Sequence, residues 1–103
     1  MLIYDYTDDY LARRAEFRQA HLALAWEAAA RGEFLVGGAL GDHEAGLPLT
    51  QAMLLFQGDG PEAAERFARA DPYVANGLVR AWRVLPWQTV AGPLAANPIR
   101  LPE

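Results

Sequence analysis

Three side chains capable of acid–base or anion-binding chemistry share one stripe of the first predicted helix. Arg14, Arg18 and His21 are separated by four and three residues, a spacing that places them on one helix face. A column of three potential cations is unfavourable unless an anion lies nearby. Imidazole can move protons near neutral pH, and a guanidinium can hold a carboxylate through two hydrogen bonds. The stripe therefore indicates proton transfer on an anionic molecule.

A carboxylate in an unfavourable position ends the second predicted helix. Asp71 follows the run "RFARA" and precedes Pro72, so it lies at the negative end of the helix dipole. An Asp-Pro pair also serves as an ordinary turn that stops a helix. If Asp71 instead meets His21, with Arg18 beside them, the carboxylate fixes which imidazole nitrogen carries the proton. We expect this pair to act as a base and its orienting group. The alternatives are a structural link between two helices and, for Arg14, a solvated surface charge.

Composition argues against several other kinds of site. The chain of 103 residues has no cysteine, lysine or serine, which excludes thiolate and serine nucleophiles and a lysine-containing phosphate loop. Its net charge of −4 argues against a nucleic-acid partner. His43 lies between Asp42 and Glu44, but adjacent residues lack the spacing of metal ligands. We expect neither a metal nor an organic cofactor.

The hydrophobic pattern predicts six elements in the order β-α-β-β-α-β. They are a strand at 2–6, a helix from Asp8 or Asp9 to Arg31, strands at 33–40 and 51–57 around a turn-rich loop at 41–50, a helix at 61–70 and a strand at 77–87. This order is typical of the α+β, ferredoxin-like fold. We therefore expect a four-stranded antiparallel sheet with two helices on one face.

One face of this sheet needs a cover that the helices do not provide. The third strand, "AMLLF", is apolar on both faces, whereas a sheet with one wet face should alternate. We expect a second copy to cover it in a twofold homodimer. The alternative is the proline-rich arm at 91–103, which follows a domain at 1–90 and could dock through Leu94, Ile99 and Leu101. The longest apolar runs are far shorter than the roughly 20 residues of a membrane helix, so we expect a cytoplasmic protein with no membrane partner.

Four segments together resemble the YciI-like (YCII-related) family. They are "RQAHL", "GEFLVGGAL", "PEAAERFARADPYVANGLV" and "VLPW", within a collinear match from the first strand to about Val90. The resemblance implies a ferredoxin-like fold that dimerises through its sheets into an α+β barrel. It also implies a His–Asp pair and an Arg in a cleft, at His21, Asp71 and Arg18. The positions that match elsewhere are Gly38 near the cleft and Pro72, Tyr73 and Gly77 of the family's "DPY…G" segment.

One departure from the family concerns the cleft wall. Family members commonly carry Ala-Gly-Pro where this chain has Gly37, Gly38 and Ala39. The missing proline loosens the end of that strand, which leaves the identity of the substrate open.

These features predict a cofactor-independent enzyme that acts on a small anionic molecule by elimination, isomerisation or hydrolysis. In this interpretation His21 is the general acid or base, Asp71 orients it and Arg18 holds the anion. Further substrate-binding residues are Arg14, Gly38 and Tyr73. A non-catalytic module that binds a small ligand, or a structural dimer, is the competing interpretation. Regulation of a partner protein through the C-terminal arm is a third.

Overall fold

The structure, a computed structural model, describes residues 1–102. Its elements are β1 (Leu2–Tyr6), α1 (Tyr10–Ala30), β2 (Phe34–Asp42), a 3₁₀ turn (His43–Ala45), β3 (Leu47–Phe56), α2 (Glu62–Ala70), α3 (Pro72–Ala75) and β4 (Val79–Val84). The sheet has the strand order β2-β3-β1-β4, and every pair of neighbours is antiparallel. The predicted ferredoxin-like α+β fold is confirmed.

The central strand β1 separates the two faces of the sheet. Leu2, Tyr4 and Tyr6 are buried, while Ile3 and Asp5 between them are half-exposed. This alternation follows from the two-residue period of a strand with one face against helices. The buried face packs against α1, α2 and α3, and it carries the aromatic side chains that reach the site described below.

Helix α1 begins and ends where the sequence predicts. Asp9 precedes its first residue, Arg31 follows its last, and Gly32 then adopts a positive φ of 78°. A glycine fits this position because a left-handed backbone crowds the Cβ of other residues. Across residues 1–102, no helix combines the length and apolar character needed to span a membrane.

The connection between β2 and β3 differs from the prediction. Most of the predicted loop at 41–50 is strand, and a 3₁₀ turn at His43–Ala45 joins β2 to β3. Pro48 has no N–H to donate to a neighbouring strand. No hydrogen bond to β1 is lost at this position, because β3 pairs with β1 only from Gln51 onward. Gly41, at φ 120°, lies where the register between β2 and β3 shifts. The glycine-rich pattern had indicated a loop here, but Gly41 forms a bulge within the hairpin.

The chain after α2 also differs from the prediction. Asp71 ends α2 and immediately caps a second short helix, α3, which the sequence pattern did not reveal. Gly77, at φ 77°, closes α3, and β4 therefore runs only from Val79 to Val84 instead of 77–87.

The C-terminal arm does not dock on its own chain. Leu94, Ile99 and Leu101 are 95%, 73% and 89% exposed, so the predicted docking is wrong for these residues. The arm is held by local hydrogen bonds instead, such as the one from the Ile99 N–H to the Val90 carbonyl at 2.7 Å. Its last residue, 103, lies outside the described part of the chain. The division into a domain at 1–90 and an arm at 91–103 stays a prediction.

Candidate active site

The structure brings His21 and Asp71 into direct contact. Nδ1 of His21 lies 2.9 Å from each carboxylate oxygen of Asp71. An ionised carboxylate can only accept hydrogen bonds, so in the neutral form of the ring the proton is on Nδ1 and Nε2 keeps its lone pair. The predicted contact between α1 and the end of α2 is therefore present, and its geometry is that of a base with an orienting group.

Asp71 is held by more than the histidine. The Tyr4 hydroxyl donates to Oδ2 at 2.7 Å, and the Tyr73 backbone N–H donates to Oδ1 at 3.0 Å as the cap of α3. The carboxylate is fully buried, and a buried charge is tolerated only with such partners. The unfavourable position at the end of α2 is thus resolved, because Asp71 is also the first acceptor of the next helix.

The His21 ring is clamped by aromatic side chains. It stacks on Tyr73 with centroids 3.9 Å apart and meets the edge of Phe67 at 6.1 Å. Its side chain remains 13% exposed and lines a cleft, although Asp71 behind it is sealed from solvent. Within residues 1–102 Nε2 has no protein partner and is not fully buried, so it is accessible from the cleft.

The cleft lies between α1 and the edge strand β2 and has a volume of about 370 Å³. The predicted residues Arg14, Arg18, Gly38 and Tyr73 all line it together with His21. Arg14 and Arg18 have no carboxylate within 4.0 Å among the described residues. The arginines that do are Arg13, Arg31, Arg66, Arg69, Arg80 and Arg83. Uncompensated positive charge is therefore concentrated at the cleft of an acidic chain.

The glycine pair of β2 has two separate functions. A Cβ on Gly37 would lie 2.9 Å from the Phe34 ring, so this glycine allows Phe34 to pack. A Cβ on Gly38 would meet nothing within 4 Å, so this position is open space. Gly38 pairs with Met53 on the sheet face away from the helices, so it borders the cleft through its backbone, at the positions where the resemblance predicted a difference.

The sequence interpretation missed three tyrosines of the site. Tyr4 supports Asp71, while Tyr6 and Tyr10 line the cleft with rings stacked 3.5 Å apart. Burial is the main reason that the pKa values of Tyr4 and Tyr6 rise far above 10, and the Asp71 charge raises that of Tyr4 further. The alternation of Tyr4 and Tyr6 along β1 was the available signal, since it placed both on the helix-facing side.

Three comparisons with known proteins bear on this site. The family model of the YCII-related domain matches residues 1–88. No curated protein matches the chain. Among solved structures, the chain is similar to 5-chloro-2-hydroxyhydroquinone dehydrochlorinase (TftG) from Burkholderia phenoliruptrix AC1100, in complex with 2,5-dihydroxybenzoquinone. The identity is 25% and the TM-score 0.67, over 85% of this chain and 92% of that one.

Proposed function

The chain belongs to the YCII-related domain family, and from this membership and the geometry of the cleft we propose that it is a small-molecule enzyme. Its His–Asp pair would perform general acid–base chemistry on a small anionic substrate, with elimination as the reaction that the comparison favours. The observation that carries the proposal is the accessible Nε2 of His21, behind which Nδ1 is hydrogen-bonded to the buried Asp71. The dehydrochlorinase relative supports an elimination, because loss of HCl requires only a base and a stabilised anion.

An elimination at this site needs no reactant other than the substrate and the His21–Asp71 pair. Nε2 of His21 accepts a proton from the substrate, and the electron pair of the broken bond moves into the substrate and expels the leaving group as an anion. The imidazolium formed is stabilised by the Asp71 carboxylate and returns its proton to solvent. A positioned base of this kind contributes about 10²–10⁴ in rate, which suits an activated substrate.

Arg18 and Arg14 would hold the anionic part of the substrate. Arg18 is exposed at the cleft mouth, while Arg14 is half-buried with its guanidinium 5.9 Å from the Tyr10 ring centroid. This cation–π contact orients Arg14 without neutralising its charge. Tyr73 supports the His21 ring, and the backbone of Gly38 borders the cleft in which the substrate would bind.

The test uses chlorinated hydroxyhydroquinones as the substrate panel and chloride release as the readout. His21→Gln should lower the rate by about 10²–10⁴ and leave the fold intact. His43→Gln is the matched control, because His43 lies in the 3₁₀ turn at the hairpin tip and not in the cleft. Equal rates in wild type and His21→Gln would refute the assigned base. Saturable binding of the whole panel without turnover would favour the non-catalytic binding module instead.

We also propose that two chains pack through the open faces of their sheets. On this face Met53, Val36 and Leu40 remain 39%, 63% and 44% exposed, and the arm leaves them uncovered. Such a patch is typical of a partner surface. Met53→Asp should convert a dimer into a monomer in light-scattering measurements, while Leu94→Asp on the arm should not. A monomeric wild type at micromolar concentration would contradict the proposal.

A further inference from the structure

Within the described part of the chain, three tyrosine hydroxyls at the cleft have only one another as hydrogen-bond partners. Tyr6, Tyr10 and Tyr73 are only 6%, 4% and 2% exposed, yet all three line the cleft. Over residues 1–102, the tyrosine hydroxyl that donates to a protein acceptor with good geometry is that of Tyr4. Two bonds among three hydroxyls use two of their three protons, and none of the three oxygens is both fully buried and unpaired, so the cluster can still donate toward the cleft.

The three hydroxyls are gathered around Tyr10. The Tyr6 and Tyr10 rings lie face to face with centroids 3.5 Å apart and planes 7° apart, and the Tyr73 ring meets Tyr10 edge-on at 5.7 Å. Burial raises the pKa values of Tyr6 and Tyr73, and a hydrogen bond between each of these hydroxyls and that of Tyr10 raises them further. Aromatic pairs prefer offset or edge-on contacts over a direct face-to-face stack. Because the Tyr6 and Tyr10 rings are parallel and close together, one acceptor atom can receive hydrogen bonds from both hydroxyls.

Positive charge is placed beside this cluster. The Arg14 guanidinium lies 5.9 Å from the Tyr10 ring centroid, and the charges of Arg18 and Arg14 lower the pKa of Tyr73 against the effect of burial. Neutral phenols and guanidinium groups both donate hydrogen bonds, and the positive charge of the two arginines disfavours a cation beside them. The cluster is therefore complementary to an anionic oxygen.

We propose that the hydroxyls of Tyr6, Tyr10 and Tyr73 form an oxyanion site for the phenolate or enolate oxygen of the substrate. This inference rests on the proposed function: when Nε2 of His21 accepts the substrate proton, the electron pair left behind moves onto this oxygen, and it then returns as the C=O bond re-forms and the leaving group departs as an anion. A phenolate, whose parent phenol has an unperturbed pKa of about 10, is a stronger base than a carboxylate at about 4 and therefore a stronger acceptor for these hydroxyls. The substrate class is therefore an enol or phenol rather than a simple carboxylic acid.

The test measures binding and needs no turnover. The probes are nitro- and fluoro-substituted phenols of graded basicity, all anionic at the working pH, with benzoate as a carboxylate of similar size. By titration calorimetry, wild type should bind the more basic phenolates more tightly. Tyr10→Phe should weaken each phenolate about 10–100-fold, the equivalent of a charge-assisted hydrogen bond. Benzoate affinity should stay within about threefold, the range of a neutral substitution.

Two further variants keep the test decisive. Tyr6→Phe should repeat the effect if Tyr10→Phe does not fold. His43→Gln is the control for phenolate binding, because His43 lies in the 3₁₀ turn at the hairpin tip and does not line the cleft. Unchanged phenolate binding in both Tyr6→Phe and Tyr10→Phe, or an equal loss of benzoate binding, would overturn the oxyanion site.

Failure of this site is distinguishable from failure of the proposed function. His21→Gln should abolish turnover while retaining phenolate binding, because the tyrosines and not the imidazole contact the oxygen. If phenolates bind as predicted but His21→Gln leaves turnover unchanged, the base assignment fails and the oxyanion site stands. If His21→Gln abolishes turnover but phenolates bind equally well to Tyr6→Phe, Tyr10→Phe and wild type, the oxyanion site fails and the base assignment stands.

Discussion

Replacement of Asp71 by asparagine changes the proton position on His21 while keeping the shape of the site. The carboxylate now accepts hydrogen bonds from three groups, namely His21, Tyr4 and the Tyr73 backbone. An amide has one oxygen and one NH₂ group, so it cannot accept from all three. If its oxygen keeps the Tyr73 N–H, its NH₂ faces Nδ1 of His21, and the imidazole proton must move to Nε2. The accessible nitrogen then donates and no longer acts as a base.

The expected size of the effect follows from these contacts. A hydrogen bond to a charged group contributes about 1.5–3 kcal/mol and a neutral one about 0.5–1.5 kcal/mol, a difference of about 1 kcal/mol per bond. Three bonds give about 3 kcal/mol, offset in part because a neutral amide is less costly to bury than a carboxylate. We expect a loss of about 1–3 kcal/mol in the free energy of unfolding and about 10²–10⁴ in turnover.

Long-range ¹H–¹⁵N NMR spectra report directly which imidazole nitrogen carries the proton. The chain has two histidines, so His43 serves as an internal reference in every spectrum. Above the range where histidines are charged, wild-type His21 should show a protonated Nδ1, and Asp71→Asn should show a protonated Nε2. The His43 signals should not move, since this residue lies at the hairpin tip.

One result would refute the reasoning. If His21 carries its proton on Nε2 in the wild type, or keeps Nδ1 protonated in Asp71→Asn, the carboxylate does not set the tautomer. A denaturant titration supplies the second criterion: a folded but destabilised variant with normal turnover would show that the pair is a structural link between helices.

Three other predictions concern the support of the site. Tyr4→Phe removes the donor at 2.7 Å from Asp71 and should lower the free energy of unfolding by about 1.5–3 kcal/mol in urea titrations; no change would show that the bond is not stabilising. Burial raises the pKa of Tyr4, so the folded state holds this proton more tightly. The contribution of this tyrosine to stability should be constant below about pH 10 and then fall by about 1.4 kcal/mol per pH unit, and Tyr4→Phe should lack this share of the slope while that of Tyr6 and Tyr73 remains. Gly37→Ala, whose Cβ would lie 2.9 Å from Phe34, should destabilise by about 1–3 kcal/mol, whereas Gly38→Ala should be neutral in the same thermal scans; equal effects would contradict the packing role.

The fold followed from local information in the sequence. The three- and four-residue period of α1, with Gly32 after it, defined that helix closely, and the order of the apolar segments was sufficient for the ferredoxin-like topology. The predicted element boundaries were wrong where a glycine or proline is compatible with either a loop or a strand. Gly41 and Pro48 indicated a loop, but both fit a long hairpin whose outer part pairs on one side only.

The sequence predicted only part of the candidate site. The stripe of basic residues on α1 and the misplaced charge of Asp71 predicted a contact between residues 50 positions apart, because each needs an opposite charge. The catalytic and substrate-binding roles stay predictions, as do the dimer and the place of the protein in the cell.

The surroundings of that contact were decided by the tertiary structure alone. Tyr4, Tyr6, Tyr10 and Tyr73 come from β1, α1 and α3, and Tyr4 and Asp71 are 67 positions apart. A tyrosine has the same hydrophobic pattern whether its hydroxyl is paired, as in Tyr4, or open to a cleft, as in Tyr10. Periodicity reports which side of an element faces the core, but the partner of a buried polar atom depends on how the elements pack together.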